Sequence, residues 1–300
     1  MKRDHLLRTL WALQHEHGCI PRSQLKDLAR QMEISEIEIE GVVTFYHFFS
    51  LEPRGRHVIY LNDSILSRHT GFVAIQTAFE QATGAPLGGV SPSGEFGFFS
   101  TACIGWSEAE PAALIDFFPF TNLTPERVHA LIDALRQGAS AESLCHVAPP
   151  QFYPIAEAHR TVFLRDFKMG ASLKVLAHLS PDEILEAIRE SGLRGMGGAF
   201  FPTATKWHAA RKFIVCNADE GEPGTFKDRA LLHVYPQLVL EGMIIAGRAV
   251  GAGEGIMYLR GEYQFLLAAL QKAVAEYEEM GFLGENTCGI PGFHFYIRID

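Results

Sequence analysis

The chain has 300 residues, 47% hydrophobic and 20% charged, and its 26 basic against 35 acidic side chains leave a formal charge of −9. That length accommodates two domains of roughly 100–200 residues each. The apolar content excludes a disordered chain, and the negative balance argues against nucleic acid as a partner. No run approaches the ~18 apolar residues of a membrane span. Met1-Lys2-Arg3 leads straight into a helix pattern rather than a secretory leader, so a cytoplasmic protein is expected. The five cysteines, Cys19, Cys103, Cys145, Cys216 and Cys288, include no CxxC pair, which suggests neither a zinc site nor a disulfide scaffold.

The first fifty residues read as helices. Leu6, Leu10 and Leu13 share one helical face, Gly18 stands at a C-terminal cap, and a short helix follows Pro21. Ser35-Glu36-Ile37-Glu38 opens a third helix as a capping box. The aromatic run Phe45-Tyr46-His47-Phe48-Phe49 at its end reads as plain core or as a dock for the next unit. From residue 57 the period changes. Strands are expected at 57–61, 95–99 and 112–115, with Phe72, Ile75 and Phe79 at helical spacing between the first two. Thr124-Pro125 then starts a helix with Val128, Leu131, Ile132 and Leu135 inward. This order predicts an α/β chain that begins with a helical bundle over 1–54 and a thioredoxin-like domain over 55–137.

Residues 138–165 lose periodicity and hold Pro149, Pro150 and Pro154, as a linker would. A second α/β domain is expected over 166–300. Ser180-Pro181-Asp182-Glu183 opens a helix, strands fall at 213–216 and 255–259, and helices at about 236–250 and 263–280. Residues 293–300 alternate as a half-buried strand that stops at Asp300 without a cap, so this domain is expected to be cut short there.

The chemistry concentrates in two stretches. In the first, Gly192, Gly195, Gly197 and Gly198 expose backbone N–H groups of the kind that approach a phosphate. Phe200 at the sixth place excludes a Rossmann fingerprint, and Lys206 after Thr205 excludes a P-loop. Alone, the stretch reads equally well as a turn without a ligand. The second stretch, Asn217-Ala218-Asp219-Glu220-Gly221-Glu222-Pro223-Gly224, follows a strand at the edge where open α/β sheets place ligands. Three carboxylates within four residues are costly unless a cation or a donor-rich ligand relieves them.

Together, GLRGMGGAFFPTATKW at 192–207, VCNADEGEPGTFKDR at 215–229 and YLRGEY at 258–263 resemble the flavin-binding subunit of the NADH dehydrogenase module shared by respiratory complex I and soluble hydrogenases. Residues 1–137, with FYHFF at 45–49 and the CIGWSEAEPA turn at 103–112, resemble the smaller thioredoxin-like subunit of that module. The two occur fused in this order in the diaphorase subunit of NAD-reducing soluble nickel–iron hydrogenases. The resemblance implies FMN held by Gly195, Gly197, Gly198, Lys206, Asn217, Asp219 and Glu220. It places Phe201 beside the adenine of NAD and Glu222 beside the nicotinamide, where its charge would tune the flavin. The reaction implied is hydride exchange between FMN and NAD(H), coupled to single-electron transfer through iron–sulfur centres. Its partners would be an iron–sulfur diaphorase subunit and nickel–iron hydrogenase subunits.

Two departures stand out. The family has glycine where Phe200 stands, and its two-iron cluster uses C-x4-C and C-x3-C, which here read Asn62, Ser67, Cys103 and Ser107. No 2Fe-2S cluster is therefore expected, and the first 150 residues read as a docking scaffold. The cysteines of the family's 4Fe-4S cluster are expected only beyond residue 300. An NADH dehydrogenase module of a complex I-like enzyme, or the diaphorase of an NAD-dependent formate dehydrogenase, is the alternative reading; both keep the four cysteines.

Overall fold

The computed structural model describes residues 5–147, 168–208 and 213–300. The chain divides into two compact units, Met1–Val147 together with Gly221–Phe226, and Ala148–Glu220 together with Lys227–Asp300.

The first unit opens with α1 (Leu6–His17), α2 (Arg22–Met32) and α3 (Glu36–Phe45). Gly18 ends α1 with φ 72°, a left-handed cap that suits glycine, and the Ser35 hydroxyl accepts the Glu38 N–H at the start of α3. Leu10, Ile20, Leu25, Ile39 and Val43 close on one another as a small core. Next come β1 (His57–Asn62), α4 (Ile65–His69), α5 (Phe72–Thr83), β2 (Gly89–Val90) and β3 (Phe96–Thr101). They are followed by β4 (Ala113–Ile115), β5 (Phe118–Phe120) and α6 (Pro125–Arg136). The sheet order is β2-β3-β1-β4-β5, with β1 and β3 parallel and the other pairs antiparallel. Register sets Ile59 between Phe98 and Ile115, and these bury with Phe79 of α5 and Ile132 of α6.

The aromatic run after α3 is both core and dock. Phe48 meets Tyr60 at 4.9 Å and Phe117 at 5.2 Å between ring centroids, and Trp11 meets Phe49 at 4.9 Å. Behind it the backbone crosses β3 so closely that a Cβ on Gly97 would sit 1.7 Å from the Arg54 carbonyl. Most of the expected linker lies outside the described residues. At its start Ser140 caps a single turn, α7 (Ala141–Leu144), which adds Ala141 to the thioredoxin-like core.

The second unit holds α8 (Ala171–Leu176), α9 (Pro181–Glu190), α10 (Thr203–His208), β6 (Phe213–Ala218) and α11 (Lys227–Val234). It continues with α12 (Pro236–Val250), β7 (Glu254–Leu259), α13 (Leu267–Glu279) and β8 (Tyr296–Ile299). Strands β6, β7 and β8 lie side by side and parallel, with Cys216 opposite Met257 and Gly255 opposite Ile297. Met257, Phe295 and Ile297 pack into one core with Met243 and Ile244 of α12 and Leu270 and Tyr277 of α13. Buried Glu241 of α12 accepts from the Gly170 N–H (2.6 Å), the Tyr277 hydroxyl (3.1 Å) and the Ser172 hydroxyl, which pins the start of α8. Helix α9 has the capping box expected at Ser180 and Glu183. Among the described residues no single helix is long and apolar enough to cross a membrane.

Candidate functional site

Between α9 and α10 the chain makes an exposed loop closed by an antiparallel bridge between Arg194 and Pro202. The Gly195 N–H donates to the Phe201 carbonyl (2.9 Å), the Thr203 N–H to Leu193 (3.0 Å), and the Arg194 guanidinium to Phe200 (3.1 Å). Inside that frame the amides of Gly197 and Gly198 have no hydrogen-bond partner among the described residues. A Cβ at either glycine would meet no atom within 4 Å, so the loop surrounds open space. Gly198 needs its φ of +99°. Phe200 also lies in the left-handed region, at φ 49°, although its ring is 58% exposed and gains little from packing. That conformation costs a residue with a Cβ about 1 kcal/mol, which explains why glycine suits the position. Phe201 is 53% exposed. Lys206, on α10, is exposed and forms no ion pair among the described residues.

The second stretch starts where β6 ends, beside the end of β7, at the C-terminal edge of the parallel sheet. The Asn217 side-chain oxygen accepts the Asp219 N–H (3.0 Å), which leaves the Asn217 NH2 as a donor for a ligand, and Asp219 is exposed. Glu220 is different. It is 1% exposed, and its carboxylate accepts from the Lys227 ammonium (3.2 Å), the Asp228 N–H (3.0 Å), the Arg229 N–H (3.3 Å) and the Tyr263 hydroxyl (3.0 Å). Burial would raise this carboxyl, but the Asp228 amide, the Lys227 ammonium and the other donors outweigh it and hold it below the usual carboxylate range. The crowding of three acids is thus relieved by seating the middle one on the N-terminus of α11. All four of these donors belong to the chain itself, so the Glu220 carboxylate is engaged within the turn. Glu222 is exposed, and its carbonyl accepts from the Thr225 N–H (3.2 Å) and hydroxyl (2.7 Å).

Three residues that the sequence reasoning did not single out complete this framework. Arg260, just past β7, donates to the Glu220 carbonyl (2.6 Å) and to Glu262 (2.8 Å), and lies 4.0 Å from Asp219. Burial pushes the Glu262 carboxyl up, with the Arg260 guanidinium opposing. Tyr263 is fully buried beneath Glu220. The only signal was their place in the YLRGEY motif. Strand order is what brings that motif beside the turn after β6.

In the first unit, Asn62 and Ser67 are fully buried, and the Ser67 hydroxyl donates to the Asn62 carbonyl (2.7 Å). Cys103 Sγ lies 3.4 Å from Ser107 Oγ and accepts the Gly105 N–H at 3.4 Å. None of the five cysteines is in a disulfide.

Comparison with known proteins follows these two regions. Residues 188–298 match the family model of the Nuo51 FMN-binding domain, and residues 1–136 that of the thioredoxin-like [2Fe-2S] ferredoxin. Over 99% of its length the chain is 41% identical to the NAD-reducing hydrogenase HoxS subunit alpha of Cupriavidus necator, of which it covers 52%. The chain resembles the flavin subunit of an NAD-reducing hydrogenase. A crystal structure of an NAD+-reducing [NiFe]-hydrogenase in the air-oxidized state aligns over 98% of this chain and 51% of that one, with a TM-score of 0.80 and 33% identity. An NADH-quinone oxidoreductase subunit of Escherichia coli is 46% identical over 133 residues, 42% of this chain and 30% of that one. The chain spans about half the length of the hydrogenase relatives that it matches.

The residues fit an FMN. The amides of Gly197 and Gly198, without a partner among the described residues, face open space, Lys206 brings an exposed ammonium, and Asn217 and Asp219 offer a donor and an acceptor. They do not fit a two-iron cluster of the ferredoxin type. That cluster needs four thiolates, and the four positions supply one, Cys103.

Proposed function

We propose that this chain forms the first half of the diaphorase flavin subunit of an NAD-reducing [NiFe]-hydrogenase and takes part in hydride exchange with NAD(H). The observation that carries the reading is the open loop whose Gly197 and Gly198 amides have no partner among the described residues, followed one helix and one strand later by a turn at the C-terminal edge of a parallel sheet. FMN, held by these residues, would supply the conversion between single electrons and the hydride exchanged with NAD(H). The chain's own work is to bind and orient. Gly197 and Gly198 donate to the phosphate with Lys206 as counter-charge, while Asn217 and Asp219 hold the polyol and ring edge. Gly195 closes the loop, since its amide is already taken by Phe201. Glu220, Arg260 and Tyr263 keep the turn in shape. Phe201 takes the adenine of NAD, and Glu222 places a negative charge beside the nicotinamide.

The thioredoxin-like domain and its helical start serve as an iron-free scaffold for partner subunits, an iron–sulfur diaphorase subunit and the nickel–iron hydrogenase. A 4Fe-4S cluster is assigned to sequence beyond residue 300, and the assembly is placed in the cytoplasm. A complex I-like module is the lesser reading, because the likeness to its flavin-binding component extends over only 42% of this chain. The deciding experiment purifies the complex with the full-length subunit and measures released FMN and hydrogen-dependent reduction of NAD+. About one FMN per subunit with hydrogen as donor supports the proposal. A colourless complex, or one that uses NADH but never hydrogen, contradicts it.

A further inference from the structure

A carboxylate holds Asn62, one of the four positions that the resemblance assigns to a cluster. Glu110, half-buried in the loop after β3, accepts the Asn62 side-chain amide on Oε1 and the Ala112 N–H on Oε2 at 2.9 Å. The Ser67 hydroxyl donates to the Asn62 carbonyl at 2.7 Å, which fixes the end of β1 beside this carboxylate. Asn62 leans in addition on the Ser64 hydroxyl at 3.4 Å. In this way two segments that a cluster would join, 62–67 at the end of β1 and 103–112 after β3, are joined through side-chain hydrogen bonds. The second pair, Cys103 and Ser107, meets within its own loop at 3.4 Å.

We propose that Glu110 has taken over the cross-linking role of the lost cluster, tying the β1 end to the loop after β3 and closing that position to iron. The physical argument is one of satisfaction. Asn62 is fully buried, and its side-chain oxygen has no hydrogen-bond partner among the described residues. If Glu110 were removed, its amide would lose its main acceptor as well, and an unsatisfied buried amide is far more costly than an exposed one. An iron–sulfide core at the same place would have to displace the carboxylate and add its own negative charge beside it. Lost thiolates alone therefore do not describe this domain; a replacement network has been built in their place. The proposal rests on the iron-free reading of the first unit but makes its own demand, on Glu110.

The test uses the 300-residue chain throughout. First, the parent is reconstituted anaerobically with ferrous iron and sulfide; stoichiometric uptake would sink the iron-free reading itself. Second, thermal unfolding compares Glu110→Ala with Glu110→Gln. The alanine variant should melt roughly 3–10 °C lower, and the glutamine variant, which keeps an acceptor for Asn62, within about 2 °C of the parent. Equal melting of parent and Glu110→Ala would overturn the cross-link. Third, Asn62→Cys, Ser67→Cys and Ser107→Cys are combined with Cys103, with and without Glu110→Ala. The restored quartet should take up about two irons per chain, with a reduced two-iron paramagnetic signal, only when Glu110 is also replaced. A full cluster in the presence of Glu110, or none in its absence from a folded chain, would overturn the closure.

Discussion

Glu220 and Glu222 stand two residues apart in one turn, and their surroundings assign them opposite work. Glu220 is buried under four donors, so its ionised form belongs to the fold. Its native pKa lies below the unfolded value of about 4.3. Its contribution is therefore complete above that pH and is lost as pH falls through the lower native value. Glu220→Gln should cost about 2 kcal/mol at pH 7, and the gap to the parent should narrow below about pH 4; melting curves at pH 7 and pH 3.5 check this. Glu222, exposed and outside that network, should act by charge in the proposed site. Glu222→Gln in the full-length complex should make the flavin easier to reduce and lower turnover moderately, as potentiometry and steady-state rates would read. A loss of several orders of magnitude with FMN retained would instead mark obligatory proton transfer. At Gly198 the left-handed φ of +99° and the open space around it set a third expectation. Gly198→Val should empty the flavin site while leaving the far-ultraviolet circular dichroism unchanged, because none of the described residues lies within 4 Å of where its Cβ would go.

Helix α12 shows how one element reads differently at two of its glycines. At Gly247 a Cβ would lie 2.5 Å from the Phe295 ring, and a Cβ on the facing Gly255 of β7 would lie 2.9 Å from the same ring and from Met243. These glycines let helix and sheet close on Phe295. At Gly242, five residues earlier and exposed, nothing lies within 4 Å. Helix propensity alone favours alanine over glycine by about 1 kcal/mol at either place. Gly242→Ala should therefore stabilise by up to about 1 kcal/mol, whereas Gly247→Ala should destabilise by about 1–3 kcal/mol, as overpacking does; denaturant unfolding of both separates propensity from packing. Such contrasts explain which elements were legible in the sequence. Helix α12 was, by its apolar face, and α9 by its capping box. Strand β5 was hidden by Pro119, which is tolerated because that strand lies at the sheet edge, behind a turn with positive φ at Asp116 and Phe117. Helix α11 was hidden because its first N–H groups are satisfied by Glu220, several residues upstream, and not by a cap of its own.

At the scale of the whole molecule, the glycine loop and the acidic turn were legible because each is contiguous in sequence. The Arg260–Glu262–Tyr263 framework and the Glu110 network were not, since strand order brings them to their partners. The same strand order sets a last expectation. The first unit has its own helical core around Leu10 and Ile39 and its own sheet core around Ile59 and Phe98. The aromatic contacts of Phe48 with Tyr60 and Phe117 join the two within residues 1–147. Burial of this kind, at ~25 cal/mol per Å² of apolar surface, is what lets a domain of such size stand alone. Residues 1–147 expressed alone should unfold in a single cooperative transition. They should also remain colourless after anaerobic reconstitution, because one thiolate at Cys103 cannot replace four. Metal analysis and paramagnetic resonance of the reduced fragment decide the second point: about two irons per fragment would mean that ligands other than Asn62, Ser67 and Ser107 hold a cluster. The first point falls if the fragment binds hydrophobic dye and melts without a transition, for then its two cores would depend on the second unit.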